Sequence, residues 1–141
     1  MYISRAHAKF RHVLNEQEVM RFLEKYGFTC LHFEDITVAE QAQIFSSAKV
    51  VIAPHGSALT NLVFCQPDTK VIELFSPRWL RHTYWNISHK CHLDYYYVIG
   101  NHAENYVTSQ NSLAWISESL KDDILVDIKK LAEVLRLAGI R

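Results

Sequence analysis

Short apolar runs alternate along the chain with segments whose apolar positions recur every three or four residues. The runs predict strands over residues 1–4, 28–33, 49–53, 70–75 and 94–99. The segments between the first four runs have the spacing of helices. This alternation predicts an α/β protein with a mainly parallel sheet and helices on both faces.

Two of the predicted helices carry a sequence signal for their first residue. Asn15 is followed three residues later by Glu18, and Thr37 is followed at the same spacing by Glu40. A polar cap with a carboxylate three positions on is the capping-box pattern. We therefore expect both polar side chains to cap their helices, and we expect Gly27 to end the first one.

The later part of the chain is less regular. Residues 76–90 combine Arg, Trp, Tyr and His and predict an irregular or partly helical segment. Residues 100–112 predict a polar loop. Apolar positions from Lys121 to Gly139 predict one long amphipathic helix.

A chain of 141 residues has the size of one domain. We predict a single Rossmann-like three-layer α/β/α domain over residues 1–141, with a five-stranded sheet in the order 2-1-3-4-5. In that order the first and third strands are neighbours, and the chain reverses direction between them. Such sheets bind ligands at this switch point, beyond the carboxyl ends of the strands.

Composition excludes some functions. Lys plus Arg and Asp plus Glu both number 15, so the formal net charge is zero, which argues against non-specific nucleic-acid binding. No apolar run reaches the roughly 18 residues of a membrane span.

The odd number of cysteines and the apolar neighbours of Cys30 and Cys65 favour free thiols in a reducing compartment. We therefore expect a cytoplasmic protein.

The turn Pro54-His55-Gly56 is the main candidate for a ligand site. It joins the third strand to a predicted helix, and the first N–H groups of a helix lack backbone partners and attract anions. The segment has neither the Lys-Ser/Thr of a Walker A loop nor the three glycines of a dinucleotide fingerprint. The turn therefore predicts a phosphate-bearing ligand of another type.

Three charged residues are expected beside this turn. Arg5 follows the first strand directly and Arg11 lies further along the same loop, so either guanidinium could hold a phosphate, or both could belong to a solvated basic loop. Glu73 stands in an otherwise apolar strand, where a carboxylate is costly without a partner. It either accepts hydrogen bonds from the two hydroxyls of a ribose or pairs with Arg5, Lys70 or Arg78.

Polar residues within the turn and helix complete the candidate site. His55 either contacts a phosphate or sugar or only caps the strand, and Ser57 can donate to a phosphate oxygen. Thr60 and Asn61 either reach the ligand or satisfy neighbouring loops. No metal site is expected. The histidines that form no coherent cluster in the sequence are His7, His12, His32 and His102.

Four motifs resemble those of glycosyltransferase family 61, in the same order. They are YISR at residues 2–5 with RHVLNE at 11–16, ED at 34–35 with EQ at 40–41, APHGSALTNLVF at 53–64, and VIEL at 71–74. Ser57 stands where the family usually has Ala. The similarity becomes thin after Arg78.

The resemblance implies the C-terminal, nucleotide-sugar-binding lobe of a GT-B glycosyltransferase that acts on UDP-sugars with inversion and without a metal or other cofactor. It places Arg5 and His55-Gly56-Ser57 at the diphosphate and Glu73 at the ribose, and we add Arg11 and Asn61 as candidate nucleotide-sugar contacts. The acceptor, which is a glycan, lipid or protein, would bind an N-terminal lobe outside this chain. We therefore expect the chain alone to be inactive, and His55 is the one candidate catalytic residue.

Two other functions are compatible with the pattern. One is a non-catalytic nucleotide- or phosphate-binding domain that kept the fold without the activity. The other is a flavodoxin-like receiver, which needs acidic residues after its first strand, where this chain has Arg5.

Overall fold

Five parallel strands form the centre of the structure, a computed structural model that describes residues 1–104 and 112–141. The strands are β1 (Tyr2–Ile3), β2 (Cys30–Leu31), β3 (Val50–Pro54), β4 (Lys70–Phe75) and β5 (Asp94–Ile99). Their order is β2-β1-β3-β4-β5, and every neighbouring pair is parallel. The predicted fold class and strand order are confirmed. The structural β1 and β2 are shorter than the predicted runs.

Helices cover both faces of the sheet. They are α1 (Glu16–Glu24), α2 (Val38–Ser47), a 3-10 helix (Ser57–Phe64), α3 (Thr83–Lys90), α4 (Ser112–Ser119) and α5 (Ile128–Leu137). Buried residues of α1 and α5 share one core with Ile52 and Ile72 of the sheet. Those of α2, the 3-10 helix and α3 share a second core with Val51 and Val71. The alternation along the strands thus assigns each side chain to one layer.

The long C-terminal helix is shorter than predicted. Only Ile128–Leu137 is helical, because the Asp127 side chain accepts hydrogen bonds from the backbone N–H groups of Lys129 and Lys130 and caps the helix there. Ile124, which fits the helical spacing, is buried in an extended segment that bridges to Val13. Most of the predicted loop at 100–112 lies outside the described residues.

The two predicted capping boxes have different outcomes. Thr37 and Glu40 form the full reciprocal box at the start of α2. Asn15 makes no side-chain cap at α1, so that prediction is wrong. Its amide instead exchanges two hydrogen bonds with the backbone of Val126, at 2.8 and 3.0 Å. The side chain is used to join α1 to the segment before α5.

Two further observations concern the described residues. None of their helices combines the length and the apolar character needed to cross a bilayer. The three cysteines are free thiols, and Cys65 is buried.

Candidate functional site

Close packing against Arg5 explains the glycine in the turn after β3. The His55 backbone N–H donates to Leu74 O at 2.9 Å, so the pairing with β4 continues past the end of β3. Gly56 has a φ of 176°, which any residue can adopt. A Cβ at this position, however, would lie 2.1 Å from Arg5 Nη1 and 2.9 Å from Cζ. Glycine at this position therefore lets the guanidinium lie against the backbone, and any side chain would displace it.

The loop after β1 holds Arg5 in this position. Arg5 Nη2 donates to Phe10 O at 3.1 Å, and Nε donates to the same oxygen at 3.4 Å. The loop is fixed further by His12, whose Nε2 lies 2.7 Å from Ala8 O and whose backbone N–H donates to Asp123. The loop therefore folds back on itself and points Arg5 toward the turn.

Arg5 and Arg11 form a pair of cations, and neither makes a salt bridge among the described residues, although Glu34 attracts Arg5 and Glu73 attracts Arg11 at longer range. Burial lowers the pKa of both guanidinium groups, and the charge of Arg5 lowers the pKa of Arg11 further. Arg11 Nε is buried without a hydrogen-bond acceptor, and its backbone has a φ of 61°. An unsatisfied buried donor beside a second cation is the environment that an anion would relieve.

Next to these cations, His55 and Glu73 form a buried pair. Glu73 is fully buried in β4, and its Oε1 lies 2.5 Å from His55 Nδ1. Its Oε2 accepts a hydrogen bond from the Tyr95 hydroxyl at 2.5 Å. Burial first, and then the charge of Glu73, raise the pKa of Tyr95, so the phenol stays a donor. Both carboxylate oxygens are thus satisfied within the protein.

This arrangement identifies the partners of Glu73 within the protein. Lys70 pairs with Asp94, and Arg78 pairs with Asp122 in a bidentate contact, so neither is the partner of Glu73. The partner is His55. The ribose contact stays a prediction, and in this structure the carboxylate has no surface to offer a ligand.

Glu73 fixes the tautomer of His55. A carboxylate at Nδ1 holds a proton on that nitrogen. The ring also stacks on Phe75 with centroids 5.4 Å apart and contacts Tyr84 at 5.2 Å. His55 Nε2, which makes no hydrogen bond within the described part of the chain, is then the remaining polar atom of a fixed ring.

A cleft of about 310 Å³ lies on the β1 side of this pair. Arg5 and the exposed Ser57 line it, together with Glu34 and Gln41. It lies at the carboxyl ends of β1 and β3, which is the predicted switch point. Its volume is at the lower end of the roughly 300–1,000 Å³ typical of small-molecule sites.

An aromatic groove, also of about 310 Å³, lies on the β5 side. We use the name for the surface lined by Phe75, Leu80, Arg81, His82, Trp85, Tyr95, Tyr97 and Ile99. Trp85 and Tyr97 are about half exposed. Phe75 and Tyr95 contact the His55–Glu73 pair as well, so this pair separates the cleft from the aromatic groove.

Of the predicted residues, Arg5 and Ser57 line the cleft, and Gly56 packs against Arg5. His55 and Glu73 form the buried pair, and Arg11 lies near enough to Arg5 for that charge to lower its pKa. Asn61 donates to Gln41 Oε1 at 2.8 Å and to Ala58 O at 3.1 Å, so its amide supports the lining residue Gln41.

Sequence reasoning missed Tyr95 and Tyr84 as supports of the site. Tyr95 stands in an apolar strand, and the sequence predicts a core residue there. Only its position near Glu73 in the sheet shows that its hydroxyl supports this carboxylate. It also missed a cluster of His7, His32 and Glu34, whose ligand atoms lie within 4.8 Å of one another.

Comparison with known proteins defines the class. Residues 1–72, about half of the chain, match the family described as glycosyltransferase 61, and the chain belongs to this family. It is 39% identical over 66 residues to beta-1,2-xylosyltransferase RCN11 of Oryza sativa subsp. japonica, which is 47% of this chain and 12% of that protein. It is 33% identical over 78 residues to the EGF domain-specific O-linked N-acetylglucosamine transferase of Drosophila melanogaster, which is 53% of this chain and 15% of that protein.

The chain therefore corresponds to a small part of each of these relatives. The matched region includes β1, the turn after β3 and the first half of β4, and it ends one residue before Glu73. The family resemblance seen in the sequence motifs is confirmed, and glycosyl transfer is the chemistry of the class.

Proposed function

We propose that this chain is the donor-binding portion of a glycosyltransferase that transfers a sugar from a UDP-sugar to an acceptor hydroxyl with inversion. The observation that carries the proposal is the pair Arg5 and Arg11, two partly buried cations that make no salt bridge in the described residues, near the carboxyl ends of β1 and β3. Family membership makes a sugar diphosphate the fitting anion.

In this proposal the diphosphate occupies the cleft. Arg5 Nη1 lies against Gly56, and the 3-10 helix that starts at Ser57 presents its first N–H groups on the same side. The exposed Ser57 hydroxyl adds one donor. A guanidinium, backbone amides and a hydroxyl together suit the oxygens of a phosphate.

The remainder of the nucleotide extends toward the aromatic groove. Planar bases stack on aromatic side chains, and the half-exposed rings of Trp85 and Tyr97 offer such surfaces. The His55–Glu73 pair lies between the groove and the cleft, so His55 Nε2 is the group placed to contact the phosphate or sugar that crosses it. Glu73 then acts by orienting His55.

The chemistry assigned to these residues is electrostatic. As the acceptor oxygen bonds to the anomeric carbon from the opposite face, the bond from that carbon to the β-phosphate oxygen breaks, and its electron pair stays on the diphosphate. Arg5 and the helix N–H groups stabilise this growing charge, a role that preorganised donors fill in many active sites. In this proposal the acceptor site and the base that takes the hydroxyl proton lie outside this chain.

A ligand series with a matched variant tests the proposal. Thermal unfolding of the chain is followed with uridine, UMP, UDP and a set of UDP-sugars. We expect stabilisation by UDP and by at least one UDP-sugar, little by uridine, and an affinity for UDP lower by about 10–100-fold in Arg5→Ala, since hydrogen bonds to charged groups contribute roughly 1.5–3 kcal/mol.

Arg21→Ala is the control. Arg21 is exposed on α1, where its Nε donates to Gln17 O, so its loss should not change binding. Absence of any stabilisation at millimolar UDP and UDP-sugar, or equal binding by the Arg5 and Arg21 variants, would overturn the proposal. Stabilisation without sugar transfer by the full-length protein would identify a non-catalytic binding domain instead.

A further inference from the structure

His7, His32 and Glu34 converge at the end of the sheet formed by β1 and β2. One ligand atom from each residue lies within 4.8 Å of the others. The two imidazoles stack with their centroids 5.0 Å apart and an interplanar angle of 23°. All three side chains are exposed, and none makes a hydrogen bond within the described part of the chain.

The fold brings these residues together from two loops. Ile3 of β1 pairs with Leu31 of β2, so the two strands end side by side. His7 follows β1, and His32 is the first residue after β2. The cluster therefore forms only because the two strands pair. Its residues are too far apart in the sequence to be recognised as a motif.

Two imidazoles and one carboxylate form a set of ligands that prefers transition-metal ions to magnesium or calcium. Imidazole suits zinc, copper, iron and nickel, whereas magnesium and calcium prefer oxygen ligands alone. Three protein ligands with an open fourth position are typical of zinc sites that keep a water molecule. We propose that His7, His32 and Glu34 bind a divalent first-row transition-metal ion, with Zn²⁺ as the reference ion.

The geometry needs only a small adjustment. Zn–N distances of about 2.0–2.1 Å place tetrahedral ligand atoms about 3.4 Å apart. The three ligand atoms must therefore approach one another by up to about 1.4 Å from their present spacing of up to 4.8 Å. Because the side chains are exposed, rotation about their own bonds can bring them together without moving the strands.

The site adjoins the cleft through Glu34. Glu34 lines the cleft, and its charge raises the pKa of Arg5 against the larger effect of burial. A bound dication would neutralise Glu34 and leave the positive field of Arg5 less opposed. The metal would also link the loop after β1, which holds Arg5, to the end of β2. Metal binding itself does not depend on the proposed donor site.

Titration of the metal-free chain with Zn²⁺, followed by calorimetry, tests the proposal. We expect one ion per chain. His7→Ala and His32→Ala should each weaken binding by at least about 100-fold, since loss of even an outer partner of a ligand costs 10–100-fold. His89→Ala is the control, because His89 is exposed but stacks on Trp85 away from the cluster.

Co²⁺ identifies the donor atoms. The expected spectrum has visible d–d bands without a thiolate-to-metal band, and these bands should disappear in His7→Ala. Circular dichroism confirms that the variants at these exposed positions stay folded. A thiolate band, equal binding by the His7, His32 and His89 variants, or no binding at millimolar Zn²⁺ would each overturn the proposal.

Discussion

The guanidinium of Arg5 lies so close to the backbone of Gly56 that a Cβ there would fall 2.1 Å from Nη1. This contact joins the loop after β1 to the turn after β3, the two loops that meet at the switch point of the sheet. The central claim, that a sugar diphosphate binds here, depends on this contact.

Gly56→Ala separates binding from stability. The new methyl group would displace the flexible end of Arg5, while the extended backbone at residue 56 accepts alanine without strain. We expect stability within about 0.5 kcal/mol of the wild type and UDP binding weakened about tenfold. Gly27→Ala is the reciprocal control: its φ of 75° predicts a loss of about 1 kcal/mol, and binding should be unchanged. The measurements are urea unfolding and calorimetric titration, and a loss of stability without a loss of affinity in Gly56→Ala would contradict the account.

Glu73→Gln tests the buried pair. An amide can accept a hydrogen bond from only one of the two donors, His55 Nδ1 and the Tyr95 hydroxyl. The donor left unsatisfied should cost about 1–3 kcal/mol in the free energy of unfolding, measured by urea denaturation. Glu24→Gln, on the exposed face of α1, should change it by less than about 0.5 kcal/mol. Equal effects of the two substitutions would show that the pair is not a closed network.

Tyr95 predicts a loss of stability in alkaline solution. Its pKa is raised in the folded state, so the folded protein keeps a proton that the unfolded chain releases near the ordinary value of about 10. The contribution of Tyr95 to the free energy of unfolding is therefore fully present below pH 10. It falls as the pH rises above 10, by up to about 1.4 kcal/mol per pH unit. Urea unfolding in steps above pH 10 should show a shallower slope in Tyr95→Phe. The same slope in both proteins would contradict the result.

Arg78 and Asp122 predict strong coupling between two distant segments. Arg78 donates from Nε and Nη2 to the two oxygens of Asp122, which is buried. Arg78→Ala should cost about 3–5 kcal/mol because it leaves a buried charge alone. The double variant Arg78→Met with Asp122→Leu should recover most of that loss. Urea denaturation of both variants measures these losses, and a double variant no more stable than Arg78→Ala would rule out the coupling.

The sheet could be predicted because its signals are local. Strands β3, β4 and β5 are apolar runs between turn residues, and their alternation with helices predicts a parallel sheet, for which 2-1-3-4-5 is one of the common orders. The Thr37 capping box was predicted correctly for the same reason, since both partners lie within one helical turn.

The wrong predictions concern residues that interact with a partner far away in the sequence instead of with their near neighbours. Asn15 has the sequence of a cap but bonds Val126, which is 111 residues away. Ile124 has helical spacing but packs beside Val13 as an extended segment. Such tertiary contacts can override local preferences, and a short stretch of sequence does not reveal them.

The geometry of the candidate site could be predicted in part for the same physical reason. Arg5 and Gly56 follow strand ends, so their meeting follows from the strand order. The contact of Glu73 with Tyr95 and the cluster of His7 with His32 depend on side-chain directions across neighbouring strands. Those directions cannot be read from the spacing of residues in one chain segment.

Amide chemical-shift mapping with UDP tests the central claim most directly. The ¹⁵N-labelled chain is titrated with UDP, and the Arg5 side-chain Nε–H resonance is followed together with the backbone amides. We predict that the largest changes occur at Arg5, Gly56, Ser57 and Ala58. No saturable change at millimolar UDP, or changes confined to the opposite end of the sheet, would contradict it.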